Sequence, residues 1–311
     1  MATGGAYNPL EAGEREAPAP AAGGHAQDVD SVVDGQLYAE ARRRVRRRGR
    51  PPRGMTAPVR YRALVAYTGT EFHGWQVQKN APRTVQGALE DALSALARAR
   101  VKVEGASRTD TGVHADGQVA HFDLPHARDP WRVRAAANKR LPEDVRVLDV
   151  AEAPRAFHAR FDARWKEYLY RWSRSEVVAP REHPFVAPLS SAARVELMRA
   201  AAAALPGERD FGVFAVQRTG EGSEVRRLDL VEISEDGPEL HALFRGNGFL
   251  RGMVRSICGV LADASRRRVP TDRIAELLAG GDRALLSAKA PAKGLTLVRV
   301  GYEQEERISR S

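Results

Sequence analysis

Tyr61-Arg62-Ala63-Leu64-Val65-Ala66-Tyr67, followed by Thr68-Gly69-Thr70, decides the fold class of this 311-residue chain. The first seven residues have strand character and the next three are a turn signal. Downstream, Thr84–Arg100 carries Val85, Leu89, Leu93 and Leu96 at three- and four-residue spacings, with Thr84 in place as an N-cap. That spacing predicts an amphipathic helix. Val101–Ala106 then reads as a short strand, Ser107–Ala115 as a loop of turn-formers, and Gln118–Asp123 as a second strand. Pro130–Arg140 reads as a helix and Val145–Val150 as a strand. Strands and helices in this order predict an α+β domain, a sheet layered with helices.

The same order returns further along. Lys166–Ser173 alternates, placing Tyr168, Tyr170 and Trp172 on one face, and Ala192–Leu205 is an Ala-rich helix closed by Pro206-Gly207. Val225–Ser234 and Glu239–Arg245 predict a hairpin around Asp236-Gly237-Pro238. Phe249–Ala264 and Asp272–Ala279 predict helices, and Leu295–Val300 a last strand. Two similar α/β halves are therefore expected, at 58–160 and 161–303, with a cleft between them suited to a large ligand. Residues 304–311 read as a tail.

Charge narrows the partner. The net charge is +9, and residues 1–54 hold 9 Lys and Arg against 7 Asp and Glu, leaving 40 against 33 for the remainder. The folding part is thus basic in its own right, which favours a polyanion such as nucleic acid. Residues 1–54 read as a disordered tail, because no period in them can bury a face. Their Arg run, 41–53, suits RNA phosphates or a merely solvated tail. A third reading starts translation at Met55. A single cysteine, Cys258, excludes a disulfide framework and any multi-cysteine zinc site, and points to a reducing cytoplasm. No apolar run is long enough for a transmembrane helix, and no secretory signal is visible.

Arg108-Thr109-Asp110-Thr111-Gly112 is the stretch richest in chemistry. An arginine two residues before an aspartate can keep the carboxylate ionised, as a nucleophile requires. Read from these residues alone, an Asp-anchored turn explains the run at least as well.

The wider pattern resembles the tRNA pseudouridine synthase A family. Arg108-Thr109-Asp110-x-Gly112-Val113-His114-Ala115 is similar to the segment holding that family's catalytic aspartate. Further matches follow in order: Tyr67-x-Gly69, Phe72-His73-Gly74-Trp75-Gln76, Thr84-Val85-Gln86-Gly87, Ala120-His121-Phe122 and Phe157-His158-Ala159-Arg160-Phe161. Tyr168-Leu169-Tyr170, Gly248-Phe249-Leu250-Arg251-Gly252-Met253-Val254-Arg255 and Gly294-Leu295-Thr296-Leu297 complete the series. The resemblance spans about Tyr61 to Gly301 and none of residues 1–54. Ser107 stands where many relatives have Gly, Thr111 where Ala is usual, and Thr296 where an aromatic is often seen.

The resemblance implies the pseudouridine synthase fold, with mainly antiparallel sheets flanking a central cleft. It also implies isomerisation of uridine in the anticodon stem-loop of tRNA, at positions 38, 39 and 40, by a homodimer that uses neither cofactor nor metal. Asp110 is then the nucleophile. Arg108 pairs with it and displaces the base, Tyr168 stacks on the uracil, and Leu295 packs against it. Arg255 is either a second active-site arginine or a helix-surface cation, and Tyr168 without the family would read as a core aromatic. Two other classes stand beside this one. An RNA-binding protein that lost catalysis is opposed by Asp110, Arg108 and Tyr168 occurring together, and a carboxylate hydrolase has no second catalytic group in view. His114 and His121 with Asp110 and Asp123 match no common zinc spacing, and Cys258 reads as a small core residue.

Overall fold

The computed structural model describes residues 57–216 and 224–302. The tail 1–54 with its Arg run, Met55, and residues 304–311 lie outside them. In chain order the main elements are β1 (Val59–Tyr67), α1 (Val85–Ala97), β2 (Val103–Gly105), β3 (His114–Leu124), α2 (Pro130–Asn138) and β4 (Val145–Glu152). There follow β5 (Trp165–Ser173), β6 (Ala187–Pro188), α3 (Val195–Ala202), β7 (Gly207–Asp210), β8 (Val225–Asp236) and β9 (Glu239–Gly246). Last come α4 (Met253–Ser265), α5 (Arg273–Leu278) and β10 (Leu295–Gly301).

Local sequence explains most of these. In β1 the alternation buries Tyr61, Ala63, Val65 and Tyr67. Thr84 caps α1 as its spacing predicts, its hydroxyl accepting from the Gly87 amide at 3.2 Å. The helix buries Val85, Leu89, Ala92 and Leu93, and ends where Arg98 turns left-handed at φ 54°. Gly237, at φ 53°, makes the tight turn of the β8–β9 hairpin, so that Asp236 pairs with Glu239. The predicted helix over Phe249–Ala264 starts four residues later, at Met253. Gly252 adopts φ 74°, which halts the helix and leaves Phe249 and Leu250 irregular and Arg251 in a turn. The helix predicted over Ala192–Leu205 is likewise shorter, and the short strands β6 and β7 carry no sequence signal of their own.

Ten strands form one sheet in the order β4-β1-β3-β10-β5-β9-β8-β7, with β2 added to β3 and β6 to β5. All pairings are antiparallel except β10 with β3 and β6 with β5. The similarity of the two halves is visible in space: β4-β1-β3-β2 and β10-β5-β9-β8 repeat one arrangement. The halves are joined where Thr296 and Leu297 lie beside His114 and Ala115. There a Cβ on Gly117 would meet the Val298 carbonyl oxygen at 2.1 Å, so only glycine admits the approach of the two backbones.

Leu89 and Leu93 of α1 and Val133 and Ala137 of α2 cover Ala63, Val65, Ala120 and Phe122 of the sheet in a closed apolar layer. In the second half α3 and α4 do the same. Strand β5 lies inside the sheet, and its Tyr168, Tyr170 and Trp172 are buried together on one face as their spacing predicts. Its other face carries Glu167 and Arg171, ion-paired to Arg245 and Glu239 of the neighbouring strand.

Candidate active site

Asp110 lies on the loop between β2 and β3, and the loop is held from several sides. Gln118 of β3, fully buried, brackets Ser107: its amide nitrogen donates to the Ser107 carbonyl at 2.7 Å, and its oxygen accepts from the Ser107 amide at 3.1 Å. The Tyr67 hydroxyl meets the Thr109 hydroxyl at 2.7 Å. The Trp75 amide donates to the Thr109 carbonyl at 3.1 Å, and the Gly112 amide to the Phe72 carbonyl at 3.3 Å. Gly74 at φ 84° lets that backbone come close, since a Cβ there would sit 2.7 Å from the Thr109 oxygen. The loop is therefore fixed by its surroundings rather than by its own aspartate.

That distinction decides how Asp110 is read. Among the described residues, the groups at its carboxylate are the guanidinium of Arg255, at 3.5 Å from Oδ2, and that of Arg251, at 3.9 Å from Oδ1. No amide of the Asp110 loop bonds the side chain, as an Asp-anchored turn would require. The carboxylate is 18 % exposed and opens into a cleft of about 510 Å³. Arg255 comes from the first turn of α4 and is anchored by its Nε donating to the Ala290 carbonyl at 2.9 Å. The ion-pair partner expected from sequence was Arg108. Arg108 instead lies exposed on the cleft wall, outside ion-pair distance, and Arg255 fills that position. A contact spanning 145 residues of chain leaves no local signal.

Tyr168 and Leu295 line the same cleft. The Tyr168 hydroxyl is 2.6 Å from that of Ser107, and Phe249 stands edge-on to its ring at 4.9 Å. Burial, reinforced by the charge of Asp110, pushes the phenol up to about 12, so Tyr168 is a neutral ring through the physiological range. Two residues earlier on the same face is Lys166, which sequence reading passed over. It is 9 % exposed, and its ammonium donates to the Ala106 carbonyl at 2.6 Å. Burial, with Arg160 and Arg226 adding repulsion, lowers it to about 8. The alternation that placed Tyr168 on the buried face also placed Lys166 there, and that was the available signal. Gln118, a polar residue within an apolar strand, carried a similar one.

The two histidines act as structural acceptors. His114 Nδ1 accepts from the Gly69 amide at 3.1 Å, which leaves Nε2–H to donate to the Pro184 carbonyl at 3.0 Å. His121 Nδ1 accepts from the Ala159 amide at 3.1 Å. Among the described residues no three His, Cys, Asp or Glu cluster as metal ligands. Cys258 is buried within α4, its thiol pushed well up by burial.

Residues 63–162 and 201–303 match the family model described as tRNA pseudouridine synthase. A protein of Solidesulfovibrio magneticus named tRNA pseudouridine synthase A is 42% identical over 252 residues, covering 78% of this chain and 91% of its own. The chain belongs to the tRNA pseudouridine synthase A family. Members from Listeria welshimeri and Geobacillus kaustophilus, of the same name, are 40% and 41% identical, each over 79% of this chain, and over 100% and 95% of their own lengths. Asp110, Arg108, Arg255 and Leu295 fall within the two stretches matched to the tRNA pseudouridine synthase family, whereas Tyr168 and Lys166 fall between them. Among the described residues, no helix is long and apolar enough to cross a membrane.

Proposed function

We propose that this protein isomerises uridine to pseudouridine in the anticodon stem-loop of tRNA, at positions 38, 39 and 40, with Asp110 as the nucleophile. The observation that carries the reading is the Asp110 carboxylate itself. It is held ready by Arg255 and Arg251, free of its own loop, and aimed into a cleft that also presents Tyr168 and Leu295. Family membership supplies the reaction class.

The carboxylate attacks the uridine, at C1′ of the ribose or C6 of the base. The N1–C1′ bond breaks, the uracil turns, a C5–C1′ bond forms, and the proton on C5 leaves while N1 gains one. Product and substrate are isomers, so neither a redox partner nor a cofactor enters the balance. Arg255, at 3.5 Å from Oδ2, lies beside the carboxylate before attack and balances its charge when it is released. Tyr168 meets the uracil as a neutral stacking surface, and Leu295 closes the apolar side of the pocket. Arg108, exposed on the wall, is positioned to occupy the space that the flipped base vacates. A homodimer in the cytoplasm fits the family resemblance and the single buried cysteine.

The test is to incubate the protein with unmodified tRNA and map pseudouridine by carbodiimide modification. Pseudouridine at the three positions is expected from the intact protein and none from Asp110→Ala. An inactive intact protein refutes the reaction, and a fully active Asp110→Ala refutes the nucleophile.

A further inference from the structure

Phe161 is 75 % exposed, yet the turn that carries it is bonded through each of its backbone amides from His158 to Asp162. The His158 amide donates to the Asp162 carboxylate at 2.9 Å, and the Asp162 amide to the His158 carbonyl at 3.1 Å. The Arg160 and Phe161 amides both point at His158 Nδ1, at 3.2 and 3.3 Å. With Nδ1 accepting, Nε2–H is free to donate to Glu104 at 3.1 Å, which fixes the imidazole. His121 receives the remaining amide, that of Ala159, and its ring lies 4.6 Å from His158. The His158 ring in turn backs the Phe161 ring at 4.2 Å. An apolar ring displayed on so rigid a mount is organised for contact with something outside the protein.

What that is follows from the surroundings. Phe161 lines a groove of about 270 Å³ with Lys102, Glu104, Arg108 and Arg160. Arg108 and Arg160 also line the cleft of Asp110, so groove and cleft are continuous. Among the described residues, Glu104 is the only carboxylate on the groove wall, and it is engaged by His158. Cations leading from the catalytic cleft to an exposed aromatic face suit a polyanion carrying flat bases.

We propose that Phe161 is a stacking platform for an unpaired nucleobase of the substrate RNA, one neighbouring the target uridine, with Arg160 holding the intervening phosphate. This rests on the reading of Asp110 as the catalytic centre of an RNA-modifying enzyme. Stacking is indifferent to base identity, so the platform would hold the strand beside the target without selecting its sequence.

The experiment measures binding and pseudouridine formation on a tRNA anticodon stem-loop, for the full chain and for Phe161→Ala and Phe161→Tyr. Phe161→Ala should bind roughly ten-fold or more weaker, with the slope of affinity against salt unchanged, and Phe161→Tyr should bind as the parent does. Stem-loops made abasic at each unpaired position in turn should include one that weakens the parent but not Phe161→Ala. Parent-like binding by Phe161→Ala, or abasic effects that simply add to it, overturns the proposal. A change of oligomeric state in Phe161→Ala with RNA affinity intact also overturns it, assigning the ring to a protein contact. Absence of pseudouridine from the parent chain would instead strike the catalytic reading and is scored separately.

Discussion

Gln118 grips Ser107 by both ends of its side-chain amide, donating to its carbonyl at 2.7 Å and accepting from its amide at 3.1 Å. No residue of the Asp110 loop lies next to Gln118 in sequence, yet this bracket sets where the loop leaves β2. Replacing it by leucine strands two buried backbone groups of Ser107, each worth about 1–3 kcal/mol. Gln118→Leu is therefore expected to lose about 2–6 kcal/mol of stability by urea denaturation. Pseudouridine formation should fall as well, because Ser107 also holds the Tyr168 hydroxyl. Unchanged stability would show that the bracket contributes nothing net.

Arg255 meets two acceptors at once, the Ala290 carbonyl through Nε and the Asp110 carboxylate through Nη1. A lysine presents one compact ammonium and cannot reproduce that geometry. In Arg255→Lys, kcat is expected to fall about ten- to a hundred-fold while KM for tRNA changes much less, since the lost contact is to the Asp110 carboxylate and not to RNA. A change confined to KM would place Arg255 on the RNA instead.

The contrast between these two contacts and the strands around them shows what sequence can carry. The alternation in β1 and β5, the Thr84 cap and the Gly237 turn are local, each encoded within a few residues, and the structure has them where the sequence puts them. The site is legible only as far as its chemistry is local. Asp110 stands out because a motif surrounds it, and Tyr168 because its strand alternates. Arg255 could not be chosen over Arg108 as the partner, because the choice depends on where α4 begins relative to a loop 145 residues earlier. That beginning is itself set by Gly252 at φ 74°, which the apolar period through Phe249–Ala264 conceals.

Gly74 offers a separate test of loop placement. Its φ of 84° strains any L side chain by about 1–2 kcal/mol, and a Cβ there would press on the Thr109 oxygen at 2.7 Å. Gly74→Ala should therefore lower kcat beyond what its stability loss explains, by displacing the backbone of Thr109 and Asp110. Gly207→Ala is the comparison: at φ 103° it is strained too, but nothing lies within 4 Å, so it should lose stability and keep its activity. Equal kcat in the two variants would show that the Asp110 loop tolerates the shift.

Lys166 makes stability depend on pH in a direction opposite to that of a salt-bridged lysine. Its ammonium is held near 8 in the folded chain, against an ordinary value of 10.5, because burial first and then Arg160 and Arg226 disfavour the charge. Between about pH 8 and 10.5 the unfolded chain thus holds a proton that the folded chain has released, so stability rises with pH across that window. Below it both states are protonated and the penalty, on the order of 3 kcal/mol, is present in full. Lys166→Met removes the group while keeping an unbranched chain of similar length. Urea denaturation of both proteins from pH 7 to 10.5 should show the parent gaining on the variant as pH rises, with other titrating groups cancelling in the difference. Parallel profiles would mean that Lys166 keeps an ordinary affinity for its proton, and that the cleft wall is wetter than its burial indicates.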